Sequence, residues 1–189
     1  LIAVALCWLL LRPRRKPPQN QPPGRASSSG GNASSSTQKP ASRGPVLCLS
    51  TVGTLIEFRG SVPQLLPDAA AALLRLAKRT DIFLVTTLPE DSDAPEKAVL
   101  ALLEAAGLFG PSACDRRKVM FCCTEDGRSA IARQLTPAVH VDTNPKVLQY
   151  LAPHVQRVVQ VCAGAAAAAQ SPNGVTVGSL AEYEVRSAP

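Results

Sequence analysis

The sequence is poor in aromatic residues (4%) and holds two histidines, His140 and His154. Its six cysteines (Cys7, Cys48, Cys114, Cys122, Cys123 and Cys162) include no C-x-x-C pair and form no Cys/His set at zinc spacing. That argues against a structural zinc site and a disulfide scaffold alike. Three of the cysteines sit in apolar, strand-like runs, where a free thiol behaves as a small hydrophobe, so a reducing compartment is expected. No G-x-G-x-x-G and no Walker loop occur, which leaves nucleotide binding unsupported.

Carboxylates are absent from the first 43 residues, which carry Arg12, Arg14, Arg15, Lys16, Arg25, Lys39 and Arg43. The chain of 189 residues has 20 Lys+Arg against 14 Asp+Glu, a formal charge of +6. Removing those seven bases leaves 13 against 14 from residue 44 onward, near −1. The basic character belongs to the N-terminal segment, and a domain built to neutralise phosphates would be basic itself. A nucleic-acid partner is therefore not expected.

Residues 1–11, LIAVALCWLLL, are uniformly apolar and are followed by RPRRK. A membrane span takes about 20 apolar residues. A signal peptide carries its positive charge before the apolar stretch and small residues after it. Here the order is reversed, with Trp8 near the end, an interfacial aromatic ahead of a positive flank. The expected reading is the C-terminal part of a transmembrane helix. Residues 12–45 are rich in Pro, Ser and Gly with almost nothing apolar, so they predict a disordered linker. About thirty such residues reach roughly 30 Å. Anchor (1–11), linker (12–45) and cytosolic domain (46–189) is the predicted organisation.

From residue 46 apolar runs alternate with amphipathic stretches. Strands are expected at Val46–Thr51, Ile82–Thr87, Val119–Cys123, Ala138–Asp142 and Val155–Cys162, with a short edge strand at Val175–Val177. Helices are expected at Gln64–Arg79, Pro95–Ala106, Gly127–Leu135, Pro145–Ala152 and, as a last turn, Ser179–Tyr183. Gly164–Gln170 reads as a low-complexity loop. Continuous apolar strands alternating with helices predict a Rossmann-like three-layer α/β sandwich with a mostly parallel sheet.

In such a fold ligands bind at the C-terminal strand ends. The first strand ends Ser50-Thr51-Val52-Gly53-Thr54-Leu55, which resembles the haloacid dehalogenase-like phosphatase signature D-x-D-G-T-[LV] with both aspartates replaced, by Ser50 and Val52. Thr86-Thr87 and Asp142 stand where that superfamily keeps a phosphate-binding hydroxyl and metal-binding acids. Its chemistry needs a carboxylate nucleophile, an acid/base aspartate and Mg²⁺ held by oxygens. Valine supplies none of these, so no catalytic residue, metal or cofactor is expected. His140, between Val139 and Val141, reads as a packed strand histidine, and His154 as a solvated helix-end residue. Cys122 and Cys123 point to opposite faces and cannot share a metal.

Residues Lys118–Pro145, KVMFCCTEDGRSAIARQLTPAVHVDTNP, resemble the most distinctive stretch of the plant peroxisome assembly protein 22 family. Asp81–Leu84 and Leu102–Phe109 fit as well, and so does the order of parts. The resemblance implies a single-pass peroxisomal membrane protein whose cytosolic Rossmann-like domain holds the peroxisomal ubiquitin-conjugating enzyme at the membrane and promotes its activity, supporting recycling of the matrix-protein import receptor. The Ala163–Ala169 stretch, Asp126 and Lys146 depart from the family pattern. Thr124, Glu125, Arg128, Asp142 and Asn144 are the expected partner-binding residues, because polar loops on a rigid α/β frame favour binding. Asp142 and Asn144 read equally well as caps of the helix at Pro145. Two rivals remain: a hydrolase using Ser50, and a tethered binding module with another partner.

Overall fold

The computed structural model describes residues 44–162 and 171–188. The expected anchor, nearly all of the expected linker and the Gly164–Gln170 loop lie outside them. Among the described residues no helix is long and apolar enough to cross a membrane.

Six strands form the central sheet: β1 (Val46–Ser50), β4 (Asp81–Thr87), β5 (Val119–Cys122), β6 (Val139–Asp142), β7 (Arg157–Val161) and β8 (Gly174–Val177). Their order is β5-β4-β1-β6-β7-β8, and every neighbouring pair is parallel. Counting only these strands, the chain winds 3-2-1-4-5-6, the Rossmann order, and reverses direction between β1 and β6.

Side chains alternate across each strand, which divides the interior in two. Leu47 and Leu49 of β1 join one core with α1 (Ala69–Ala77), α2 (Asp93–Ala105) and α5 (Leu180–Arg186). Cys48 joins the other, with α3 (Glu125–Leu135) and α4 (Pro145–Leu151). Helices on both faces of a parallel sheet make the three layers the sequence predicts. Burial pushes the Cys48 thiol up to about 12, with the charge of Asp142 adding to the effect, so it stays neutral and packs as an apolar group.

One element differs from the sequence reading. The helix expected over Gln64–Arg79 is shorter, and an antiparallel hairpin precedes it, β2 (Ile56–Arg59) paired with β3 (Val62–Leu65). Leu65 and Leu66 match a helical stripe, but Pro63 and Pro67 lack the N–H that a helix interior needs. Asp68 then takes a left-handed conformation, φ 58°, and the helix starts at Ala69. Elsewhere the shifts are small: α3 starts two residues before expectation because the Thr124 hydroxyl accepts a hydrogen bond from the Gly127 N–H.

The two-sided core makes a direct prediction. Leu49→Ala, at a fully buried position in the innermost region of the sheet, should cost about 2–5 kcal/mol in urea unfolding. Val62→Ser, on the hairpin and 60% exposed, should stay within about 0.5 kcal/mol.

Candidate functional site

The reversal between β1 and β6 places the ends of those strands side by side, and their last residues, Ser50 and Asp142, are both fully buried. Ser50 Oγ donates to Asp142 Oδ2 at 2.5 Å. On the same oxygen converge His140 Nε2, at 3.4 Å, and Arg128 Nε, at 3.1 Å. The other carboxylate oxygen accepts the backbone N–H of Asn144 at 2.9 Å. Burial alone would push the Asp142 carboxyl up. The hydrogen bond and charge of His140, the Arg128 guanidinium and the Ser50 hydroxyl outweigh it, and the group is held below its ordinary value.

Arg128 sits in the second turn of α3, on the stripe it shares with Ala132, and that stripe faces the sheet. Its side chain is 8% exposed, and a terminal nitrogen donates to Thr87 Oγ1 at 3.1 Å. The Nε contact with Asp142 is an ion pair whose angle falls outside hydrogen-bond alignment. One buried charge is thus matched by one buried countercharge, the condition under which both persist inside a protein. His140 completes the cluster from inside β6, with its Nδ1 facing no polar partner among the described residues.

The loop after β1 is a tight turn. Leu55 and Ile56 donate their N–H groups to Thr51 O at 2.8 and 2.9 Å, and Thr54 Oγ1 donates to Ser50 O. Gly53, at φ 79°, lies so close to Thr143 that a Cβ would stand 2.8 Å from its methyl carbon, so only glycine fits there. Thr51 and Thr86 bond to each other through their hydroxyls at 2.7 Å.

All five residues singled out in the sequence meet here, but in two layers. Arg128 and Asp142 form the buried pair. Thr124 and Glu125 are exposed and Asn144 is half-buried, and Asn144 Nδ2 donates to Glu125 Oε1 at 2.5 Å. Asn144 also caps α4 by accepting from the Lys146 N–H at 2.9 Å, the helix-capping role its position before Pro145 suggests. Beside this edge, a groove of about 330 Å³ between α3 and α4 is lined by Glu125, Asp126, Ser129, Lys146 and Tyr150. Arg133, on the outer side of α3, donates to the Tyr150 hydroxyl at 2.9 Å.

A magnesium ion does not fit these residues. Among the described residues no group of three His, Cys, Asp or Glu could hold a metal. Both oxygens of the one carboxylate at the strand ends are engaged, and a guanidinium already stands 3.1 Å from it. Ser50, where a nucleophile would stand, directs its proton to Asp142. The sequence reading did not foresee the burial of Arg128; its place on the Ala132 stripe was the available signal.

The buried pair makes a second prediction. Arg128→Met strands a buried carboxylate, and it should cost about 3–5 kcal/mol, of which Arg128→Met with Asp142→Leu recovers most. The folded Asp142 value lies below the unfolded one of about 3.9. Its contribution is therefore complete above roughly pH 4 and disappears as pH falls through the lower, folded value. Unfolding midpoints between about pH 5 and 2 should decline more steeply for the native protein than for Asp142→Asn, with no difference in slope between about pH 6 and 8.

Comparison with known proteins agrees with the architecture and defines the family. D,D-heptose 1,7-bisphosphate phosphatase from Burkholderia thailandensis superposes with a TM-score of 0.57 at 18% identity, over 75% of this chain and 97% of that one. The corresponding enzyme from B. bronchiseptica, solved with magnesium and phosphate, gives 0.54 at 14% identity, over 75% and 97%. At such identities the likeness is one of fold. Peroxisome biogenesis protein 22 of Arabidopsis thaliana is 38% identical over 89 residues, covering 47% of this chain and 31% of that protein's length. A family model described as "Peroxisome biogenesis protein 22, Haloacid dehydrogenase-like domain" matches residues 36–183. The chain belongs to the peroxisome biogenesis protein 22 family, and the domain with the Ser50–Asp142–Arg128 cluster is its haloacid dehydrogenase-like domain.

Proposed function

We propose that the protein is a membrane-anchored adaptor that recruits the peroxisomal ubiquitin-conjugating enzyme and promotes its activity, in support of import-receptor recycling. Membership of the peroxisome biogenesis protein 22 family supports the role in peroxisome biogenesis. The observation that carries a binding role over a catalytic one is the state of the strand ends. Their single carboxylate is saturated by Ser50, His140, Arg128 and the Asn144 N–H. Phosphoryl transfer by this fold needs a free carboxylate as nucleophile, and the carboxylate of the cluster is already engaged on both oxygens. The polar groups that remain available are on the outside.

On this reading the partner surface is the exposed rim of the buried cluster: Thr124, Glu125 and Asn144, with the adjoining groove beneath Tyr150. Arg128 and Asp142 support that rim from behind and touch no partner. Rim residues on rigid element ends keep one geometry, which lowers the ordering cost of binding.

Titration of the full chain with the peroxisomal ubiquitin-conjugating enzyme of the same organism tests this. A one-to-one complex at about micromolar affinity or tighter is expected, with Glu125→Arg weakening it by about tenfold and Arg59→Glu on the hairpin leaving it unchanged. A faster ubiquitin transfer by the enzyme in the complex would support the activating part. No heat at about 100 µM would overturn the reading, and magnesium-dependent turnover of a phosphate ester that Ser50→Ala abolishes would replace it with the hydrolase.

A further inference from the structure

The domain is nearly neutral as a whole, yet its charge is sorted along the strand direction. Because the six strands are parallel, their N-terminal ends share one end of the sheet, where Val46 pairs with Asp81 and Val139 with Arg157. Lys78 and Arg79 lead into β4, Arg116, Arg117 and Lys118 lead into β5, and Arg157 opens β7. The last turns of α1, α3 and α5, which return to this end, carry Arg75, Arg133 and Arg186. Five carboxylates stand against these nine cations: Asp81, Glu104, Asp115, Glu184 and Glu182, the last reaching Arg186 from the start of α5.

The opposite end reverses the sign. Glu90, Asp91 and Asp93 fill the connection from β4 to α2, Glu125 and Asp126 open α3, and Asp68 precedes α1. Helix termini account for part of the pattern, since cations favour helix C-termini and acids N-termini. They do not account for Arg157, which is the first residue of a strand, and the three consecutive cations Arg116–Lys118 form only a single 3-10 turn, too short for much of a dipole. Two of the pairs made at this end lie on the surface, Arg116 to Glu104 at 2.8 Å and Arg117 to Asp115 at 2.7 Å; Lys118 pairs with Asp81 in a half-buried position, and Arg186 with Glu182 at 2.5 Å. Arg75 and Arg79 share the single carboxylate of Glu184, at 2.7 and 3.5 Å. Lys78 and Arg157 have no carboxylate within 4 Å among the described residues.

The first described residue, Gly44, enters at the same basic end, where the Asp81 N–H donates to Pro45 O at 3.0 Å. It continues an N-terminal sequence with seven bases and no acid. We infer that the N-terminal end of the sheet is a membrane-facing surface that docks on anionic lipid headgroups, with the acidic end turned to the cytosol. The inference rests on the anchored part of the reading above and not on the ubiquitin-conjugating enzyme. Juxtamembrane bases are attracted to anionic lipid within about one Debye length, about 8 Å at physiological salt. A chain that enters at the basic end holds that end nearest the bilayer, and the exposed Thr124–Glu125 rim lies at the other.

The four lysines of the described domain report the orientation directly: Lys78 and Lys118 lie at the basic end, Lys97 and Lys146 at the acidic end. The full chain is mixed with vesicles of phosphatidylcholine alone, or with about 30 mol% phosphatidylserine, floated, and pulse-acylated at its amines for mass spectrometry. The expected result is flotation with both, with Lys78 and Lys118 acylated at least about fivefold more slowly on the anionic vesicles, Lys97 and Lys146 unchanged, and the protection gone at about 1 M salt. Arg116→Glu with Arg117→Glu should restore the rate at Lys78 while flotation persists. Flotation with equal rates on both vesicles overturns the docking surface and leaves the anchor standing. Salt-sensitive flotation with anionic vesicles only, with Lys78 and Lys118 protected, supports docking and removes the anchor. Flotation with neither overturns both.

Discussion

A carboxylate with no exposure at all, that of Asp142, constrains the whole C-terminal end of the sheet. An unpaired charge there would cost several kcal/mol in desolvation. Its neighbours are chosen accordingly: a hydroxyl from β1, an imidazole from β6 itself, a guanidinium from α3 and a main-chain N–H from the turn into α4. Arg128 extends the link to β4 through Thr87. Three adjacent strands and a helix are thereby fixed to one another by polar contacts that have directional requirements, which apolar packing lacks.

That same saturation decides what the site can do. The strand ends hold the glycine turn at Gly53 and the Thr51–Thr86 hydroxyl pair, while their buried charges are paired with each other. Arg128 supplies from within the positive charge that balances Asp142. The surface consequence is indirect. Asn144 receives its backbone position from Asp142 and passes it on to Glu125 through its amide. The exposed rim of α3 and α4 inherits its geometry from a pair that solvent does not reach.

Much of this was legible in the sequence, and the reasons differ by element. β1 and β4 are buried on both faces, so Val46–Leu49 and Ile82–Val85 read as apolar runs, while β6 and β7 keep enough valine to read as strands around the buried His140, Asp142 and Gln160. Asn144 announced its helix as a cap, because capping needs only local spacing. The hairpin over Ile56–Leu65 was hidden because Leu65 and Leu66 also satisfy a helical stripe, and the decisive signal was the pair of prolines, Pro63 and Pro67. Arg128 was harder. In a sequence a lone arginine after two acids reads as a solvent-facing residue, and its burial depends on a carboxylate on another strand. Ser50 posed the same problem, since its partner Asp142 is distant in the chain and the pairing exists only once β1 and β6 are neighbours.

The asymmetry of charge matters because a long connection by itself does not orient what it holds. A domain of about 145 residues has a radius of gyration near 15 Å, and the linker predicted from residues 12–45 reaches about 30 Å. On the proposed anchored reading such a connection would raise the local concentration of a partner site to roughly millimolar but would leave every face free to meet the bilayer, so part of that gain would be lost in orientations where the rim is covered. On the docking proposed above, the positive excess at the end where the chain enters would remove those orientations without any rigid joint. On that proposal the acidic end would meet two constraints at once: repulsion from an anionic surface, and display of the rim that Arg128 and Asp142 support from behind. A domain that is neutral in sum and polarised along its strands meets both.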